Sequence, residues 1–208
     1  MERRAFDLFS SANREVSVRV IPGHFATKHS HVNYCLDMTE VKSNLHSAKA
    51  AAKIFCGYFS PTPVDTILTL DRMKMVGAFT ADFLSGTQIN LNQDIAVITP
   101  EITDGKLVLR DNFLPYVKGK NVLLITASAT TGKDVKSAVE GIKYYGGIPA
   151  GAAIVFGDEF ECEVPAAKIF GVEDLPDYES YPPQDCPLCK RGVKVDAVVN
   201  SYGYSKIL

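Results

Sequence analysis

The chain has 208 residues, 46% hydrophobic and 22% charged, which is enough for one sizeable core and short for two, so a single domain is expected. A net charge of −2 with no long basic run excludes the electrostatic footprint of a nucleic-acid binder. No apolar h-region follows MERRAFDLF and no run reaches the ~18 apolar residues of a membrane span, so a cytoplasmic location without a membrane partner is expected. Five cysteines, an odd number with one close pair, point to free thiols in a reducing compartment.

Glu2 to Ala12 reads as a short amphipathic helix with Phe6 and Phe9 on one side. Val16 to Ile21 alternates as an edge strand would, and Pro22-Gly23 is expected to break it. The segment GHFATKHSHVNY carries His24, His29 and His31. No carboxylate or cysteine pair at ligand spacing stands beside them, so they read as polar loop histidines rather than as a metal site. Thr39 to Tyr58 reads as the first long helix, with Val41, Leu45, Ala48, Ala52 and Phe55 on one face and Pro61 and Pro63 as its stop. Val64 to Leu70 follows as a strand, Asp71-Arg72-Met73-Lys74 as a plain strand-to-helix turn, and Lys74 to Leu84 as a helix. Asp94 to Ile98 is the next strand, and Thr103-Asp104-Gly105-Lys106 turns a solvated hairpin that returns through Leu107 to Leu109.

The most informative stretch is Asn121 to Gly147. Val122 to Ile125 is a continuous branched apolar run, as in a strand buried on both faces of a parallel sheet. Thr126 to Gly132 switches to small residues, and from Asp134 onward Val135, Ala138, Val139, Ile142 and Tyr145 fall at helical spacing before Gly146-Gly147. A small-residue loop entering a helix presents unpaired N–H groups at the positive end of the helix dipole, a place suited to phosphate. Two readings stay open. The loop holds a phosphate, or its residues only cap the helix, as Asp134 alone could do.

AGAAIVFGDEF and Ala167 to Val172 read as further strands. In YPPQDCPLCKRG, Cys186 and Cys189 read as part of a tight structural turn, with half a zinc site or a redox pair as alternatives. Zinc would need two more ligands, from Cys35, Cys56, Cys162 or a histidine. No metal site is assigned.

The stretch from Asn121 to Gly147 resembles the phosphoribosyl-pyrophosphate motif of the type I phosphoribosyltransferases: buried strand, two acidic residues, two small or apolar residues, Thr-Thr-Gly, helix. Thr130, Thr131 and Gly132 match its phosphate half, while Thr126 and Ala127 stand where the two carboxylates belong. His24, Phe25, His31 and Tyr34 resemble the N-terminal hood of bacterial orotate phosphoribosyltransferases. The lead-in Val117 to Asn121 and the Cys-Pro-Leu-Cys segment are also similar to that group, so the resemblance spans His24 to Gly192.

The resemblance implies an α/β fold: a doubly wound parallel sheet in a core of residues 39–172, with a small hood from 1–38 and 173–208 and a ligand site at the C-terminal strand ends. A homodimer is implied as well. It further implies transfer of ribosyl 5-phosphate to orotate with release of pyrophosphate, with Mg²⁺ and pyrophosphate in one loop and the two carboxylates on the ribose hydroxyls. Ser128, Ala129, Thr130, Thr131, Gly132, Lys133 and Asp134 are then the phosphate cradle, Thr126 and Ala127 a degenerate ribose site, and Asp71, Arg72, Met73 and Lys74 a degenerate pyrophosphate loop. Glu101 and Lys106 fall where orotate phosphoribosyltransferases carry a mobile catalytic loop. Losing one electrostatic partner typically costs ~10²–10³ in rate. The expectation is therefore a binder of a nucleotide 5′-phosphate or sugar phosphate with lost or much reduced catalysis, and Mg²⁺ involved only if it is active. The alternative is an active phosphoribosyltransferase.

Overall fold

A computed structural model describes residues 2–207. In chain order the strands and helices are β1 (Phe6–Phe9), β2 (Ser17–Ala26), β3 (His31–Asp37), α1 (Thr39–Ser43), α2 (Leu45–Phe59), β4 (Thr66–Thr69), α3 (Lys74–Ser85), β5 (Ala96–Ile98), β6 (Glu101–Thr103), β7 (Lys106–Val108), β8 (Asn121–Ala129), α4 (Lys133–Tyr144), β9 (Ile148–Gly157), β10 (Ala166–Gly171), β11 (Ser180–Tyr181), α5 (Pro187–Lys190), β12 (Ala197–Asn200) and β13 (Gly203–Lys206).

The core is a five-stranded sheet in the order β10-β9-β8-β4-β5, and every neighbouring pair in it is parallel. Its strands are apolar at successive positions because each faces two buried layers. Along β8, Leu123, Ile125 and Ala127 point into the cluster that holds α2 and α3, whereas Val122 and Leu124 join α4 on the opposite face. Ile67 and Leu68 of β4, and Val155 and Ile154 of β9, divide in the same way. Burying each such side chain contributes ~1.5–3 kcal/mol against its exposure to water. The α/β fold with a parallel sheet and helices on both faces is thus the one expected. Among the described residues no helix is long and apolar enough to cross a membrane.

A second sheet, in the order β11-β3-β2-β12-β13 with β1 also on β2, draws on both ends of the chain. Four expectations fail here and in the helix that follows. Phe6 to Phe9 is a strand, not part of a helix, because pairing with Ser17–Val20 satisfies its backbone, and Phe6 and Phe9 remain exposed. Pro22-Gly23 does not end β2. The register shifts between Pro22 and Phe25, and such a bulge tolerates the N–H that proline lacks. Nor is β2 an edge strand, since β3 lies on one side of it and β1 and β12 on the other. Finally, the expected helix from Thr39 to Tyr58 is two helices. Asn44 is extended, and its Oδ1 accepts hydrogen bonds from the N–H groups of His46 (2.9 Å) and Ser47 (3.4 Å), capping α2 and leaving Leu45 half-exposed.

The turn Asp104-Gly105 joins β6 to β7 with both residues at positive φ, as a tight hairpin requires. The hairpin is not wholly solvated: Leu107 is buried against α4, and Ser137 Oγ donates to Gly105 O at 3.0 Å.

Candidate functional site

The C-terminal ends of β4 and β8 and the N-terminus of α4 lie side by side, the place where open α/β sheets bind ligands. Ser128 and Thr131 are exposed, Thr130 half-buried and Ala129 buried. Gly132 takes φ 68°, a left-handed conformation that turns the chain into α4 at Lys133. A Cβ there would stand 2.4 Å from Cδ2 of Phe160, so glycine is required twice over. Asp134 lies in the first turn of α4 and is exposed, yet among the described residues α4 has no side-chain N-cap. The capping role open to Asp134 is therefore not used. The N–H groups of Thr131, Gly132, Lys133 and Asp134 and the hydroxyls of Thr130 and Thr131 have no hydrogen-bond partner among the described residues. Those donors are what an anion at a helix N-terminus engages. Asp158 N donates to Ala129 O at 3.0 Å, which holds the segment after β9, with Phe160, over the loop.

The neighbouring strand end is closed by an internal contact. Asp71 Oδ2 accepts from Thr126 Oγ1 at 2.6 Å and from the Ala127 N–H at 3.3 Å. The two degenerate subsites read from the sequence are therefore bonded to each other. The expected plain turn is also corrected: Asp71 (φ 50°) and Arg72 (φ 65°) are both left-handed, an unfavourable conformation for residues with a Cβ. Met73 is wholly buried, so only Asp71, Arg72 and Lys74 present polar groups there. The Arg72 guanidinium stacks over the Tyr202 ring at 4.7 Å. Lys42 Nζ donates to Ser201 O at 3.0 Å. Burial pushes the Lys42 ammonium below the usual lysine range; Asp71 and Asp37 oppose that shift and Arg72 adds to it. The β12–β13 turn thus reaches Lys42 on α1 and Arg72 in the turn after β4. Nothing in the local sequence announces this, since Thr126 lies 55 residues from Asp71 and Lys42 lies 159 from Ser201.

Mg²⁺ takes carboxylate, water and phosphate oxygens. The Asp71 carboxylate is already engaged by a hydroxyl and a backbone N–H, and Thr126 and Ala127 supply no acid, so this donor set does not fit a Mg²⁺ cradle. Glu101 pairs instead with Arg110 through two bonds of 2.9 and 2.7 Å at the surface, and Lys106 is exposed.

Of the three histidines expected in a loop, only His29 lies in one, exposed between β2 and β3. His24 is buried on β2 and His31 stands on β3, and both meet Cys186 and Cys189 in the hood. Pooling the four ligand-type residues would have been the only sequence signal for this cluster.

No family model matches the chain. An orotate phosphoribosyltransferase of Chlorobium phaeobacteroides is 27% identical over 179 residues, covering 86% of this chain and 88% of that one. The orotate phosphoribosyltransferase of Aeropyrum pernix superposes with a TM-score of 0.53 at 17% identity, covering 76% of this chain and 92% of that one. The Mycobacterium tuberculosis orotate phosphoribosyltransferase in complex with 5-phospho-α-D-ribosyl 1-diphosphate gives 0.50 at 17% identity, over 67% and 82% of the two chains. This chain has the type I phosphoribosyltransferase fold and is similar in sequence, over most of its length, to orotate phosphoribosyltransferases.

Proposed function

We propose that this protein binds the 5′-phosphate of a nucleotide or sugar phosphate at Ser128–Asp134, and that orotate-type phosphoribosyl transfer is absent or severely reduced. The observation that carries the reading is the bond between Asp71 and Thr126 and Ala127. It occupies the strand end where a ribose and pyrophosphate would sit and puts a negative charge there. The unpartnered donors at the start of α4 support the retained phosphate half, and the solved relative that holds the phosphoribosyl donor supports the ligand class. Association as a homodimer belongs to the same reading and rests on the resemblance alone.

Titration with orotidine monophosphate, other nucleoside monophosphates, and phosphoribosyl pyrophosphate with and without Mg²⁺ tests the binding. Monophosphates are expected to bind, and Mg²⁺ is expected to leave donor affinity unchanged. Pyrophosphate release at saturating orotate and donor tests the catalysis. Turnover at ~1 s⁻¹ or above, the low end of ordinary enzymes, would overturn the non-catalytic reading. That result would favour the second reading, an active phosphoribosyltransferase, for which Asp71 offers a carboxylate at the end of β8 from the neighbouring strand.

A further inference from the structure

Four side chains from opposite ends of the chain converge in the hood. His24 lies on β2, just inside the bulge, and His31 on β3, where it pairs with Ala26. Cys186 precedes the single turn of α5 and Cys189 lies within it; a spacing of three residues puts both sulfurs on one side of that turn. The ligand atoms His24 Nε2, His31 Nδ1, Cys186 Sγ and Cys189 Sγ all lie within 4.8 Å of one another.

The separations are those of a coordination tetrahedron. Zinc bonds of ~2.0–2.1 Å to nitrogen and ~2.3 Å to sulfur give tetrahedral edges of about 3.4 Å between nitrogens and about 3.6 Å between nitrogen and sulfur. His24 Nε2 is 3.0 Å from His31 Nδ1, 3.5 Å from Cys186 Sγ and 3.6 Å from Cys189 Sγ, and His31 Nδ1 is 3.2 Å from Cys189 Sγ. The surroundings orient the first ligand. His24 Nδ1 lies 2.9 Å from the Val193 carbonyl, and donating there leaves Nε2 bare toward the cluster. Asp196 fixes the backbone of the same residue, its Oδ2 accepting from His24 N at 2.8 Å and its N donating to His24 O at 2.7 Å. Gly23 lets that carboxylate approach, since a Cβ would stand 2.7 Å from Asp196 Oδ2.

We propose that His24, His31, Cys186 and Cys189 form a structural zinc site that ties the C-terminal segment to the β2–β3 hairpin. Four protein ligands and a buried His24 and Cys186 make it a closed site of the structural kind, with no position left for substrate. Binding converts two thiols to thiolates and releases their two protons to solvent, with no change of oxidation state. It is independent of the phosphate reading, because its ligands are carried by β2, β3 and the α5 turn whereas Ser128–Asp134 joins β8 to α4 and Asp71 follows β4.

The test is metal analysis of untagged full-length protein prepared under reducing conditions with zinc supplied, together with cobalt(II) replacement. The expected result is about one zinc per chain, and for cobalt the intense visible bands of a tetrahedral ion with thiolate-to-metal charge transfer. Cys189→Ser, at an exposed position, is expected to lower zinc affinity by at least about 100-fold, and His31→Ala to do the same while leaving thiolate absorption on cobalt in part. Folded protein that carries below about 0.1 zinc per chain and gives no tetrahedral cobalt spectrum would overturn the proposal, as would unchanged zinc affinity in Cys189→Ser. If Cys189→Ser fails to fold, chelation of the unmodified protein decides. Loss of zinc with exposure of the hood to protease supports the site, and full protease resistance after chelator has removed all zinc overturns its structural role.

Discussion

The β8–α4 edge of the core sheet and the His/Cys cluster beside the second sheet are built in opposite ways. The edge is contiguous: Ser128 to Asp134 form one stretch whose donors are mostly backbone N–H groups, so its character follows from small residues and a strand-to-helix switch. The cluster is assembled from side chains at 24, 31, 186 and 189, held by strand pairing between the two ends of the chain. The difference teaches that a backbone site can be read locally, whereas a side-chain site exists only once its register is set.

The largest expected effect comes from cutting the link between the two regions. Phe156 is fully buried on β9, and its ring meets that of Tyr178 at 5.3 Å, close to the start of the C-terminal hood segment. Phe156→Ala is expected to cost ~3–5 kcal/mol in urea denaturation. A cost below ~1 kcal/mol would mean the core repacks around the site and the link is weak.

Gly132→Ala separates the regions. A Cβ at φ 68° against Phe160 is expected to cost ~1–3 kcal/mol. It should also abolish phosphate binding measured by calorimetry and leave metal content unchanged. Preserved phosphate affinity would show that the loop conformation is not what binds.

Asp71→Asn is smaller and acts on charge. The amide still accepts from Thr126, so stability is expected to fall by only ~0.5–1.5 kcal/mol. Removing one like charge is expected to tighten phosphoribosyl pyrophosphate binding by about three- to tenfold. Weaker binding instead would assign Asp71 to the ribose and support the active reading.

The smallest effect at neutral pH is an alkaline one. Burial pushes the Cys35 thiol up to about 12, with Asp37 adding to the shift, whereas a thiol in the unfolded chain titrates near 8.5. The folded state therefore keeps a proton that the unfolded state loses. The stability this contributes is complete below about pH 8.5 and is lost as pH rises toward 12. Burial likewise raises the Tyr178 hydroxyl to about 12, which steepens the fall above about pH 10. Cys35→Ala is expected to flatten the first part of the profile in denaturation series taken from pH 7 to 11; an unchanged slope would remove Cys35 as its source.

The sequence by itself determined the core. Continuous apolar runs such as Val122–Ile125 specify strands covered on both faces, and the helical spacing from Val135 to Ile142 specifies α4, because burial period and chain geometry are local properties. It also determined the loop between them, which a glycine at positive φ completes. Only the tertiary structure decided the rest. Phe6 to Phe9 is a strand because β2 offers it Ser17–Val20 on the side where β12 pairs only Phe25 and Ala26, and β2 continues past Pro22 because a bulge and Asp196 accommodate that turn. Asp71 closes the strand end because β4 lies beside β8, and the histidines reach the cysteines because both termini share one sheet. Such contacts depend on which strands become neighbours, and that choice is set by the packing of the whole chain rather than by any window of residues.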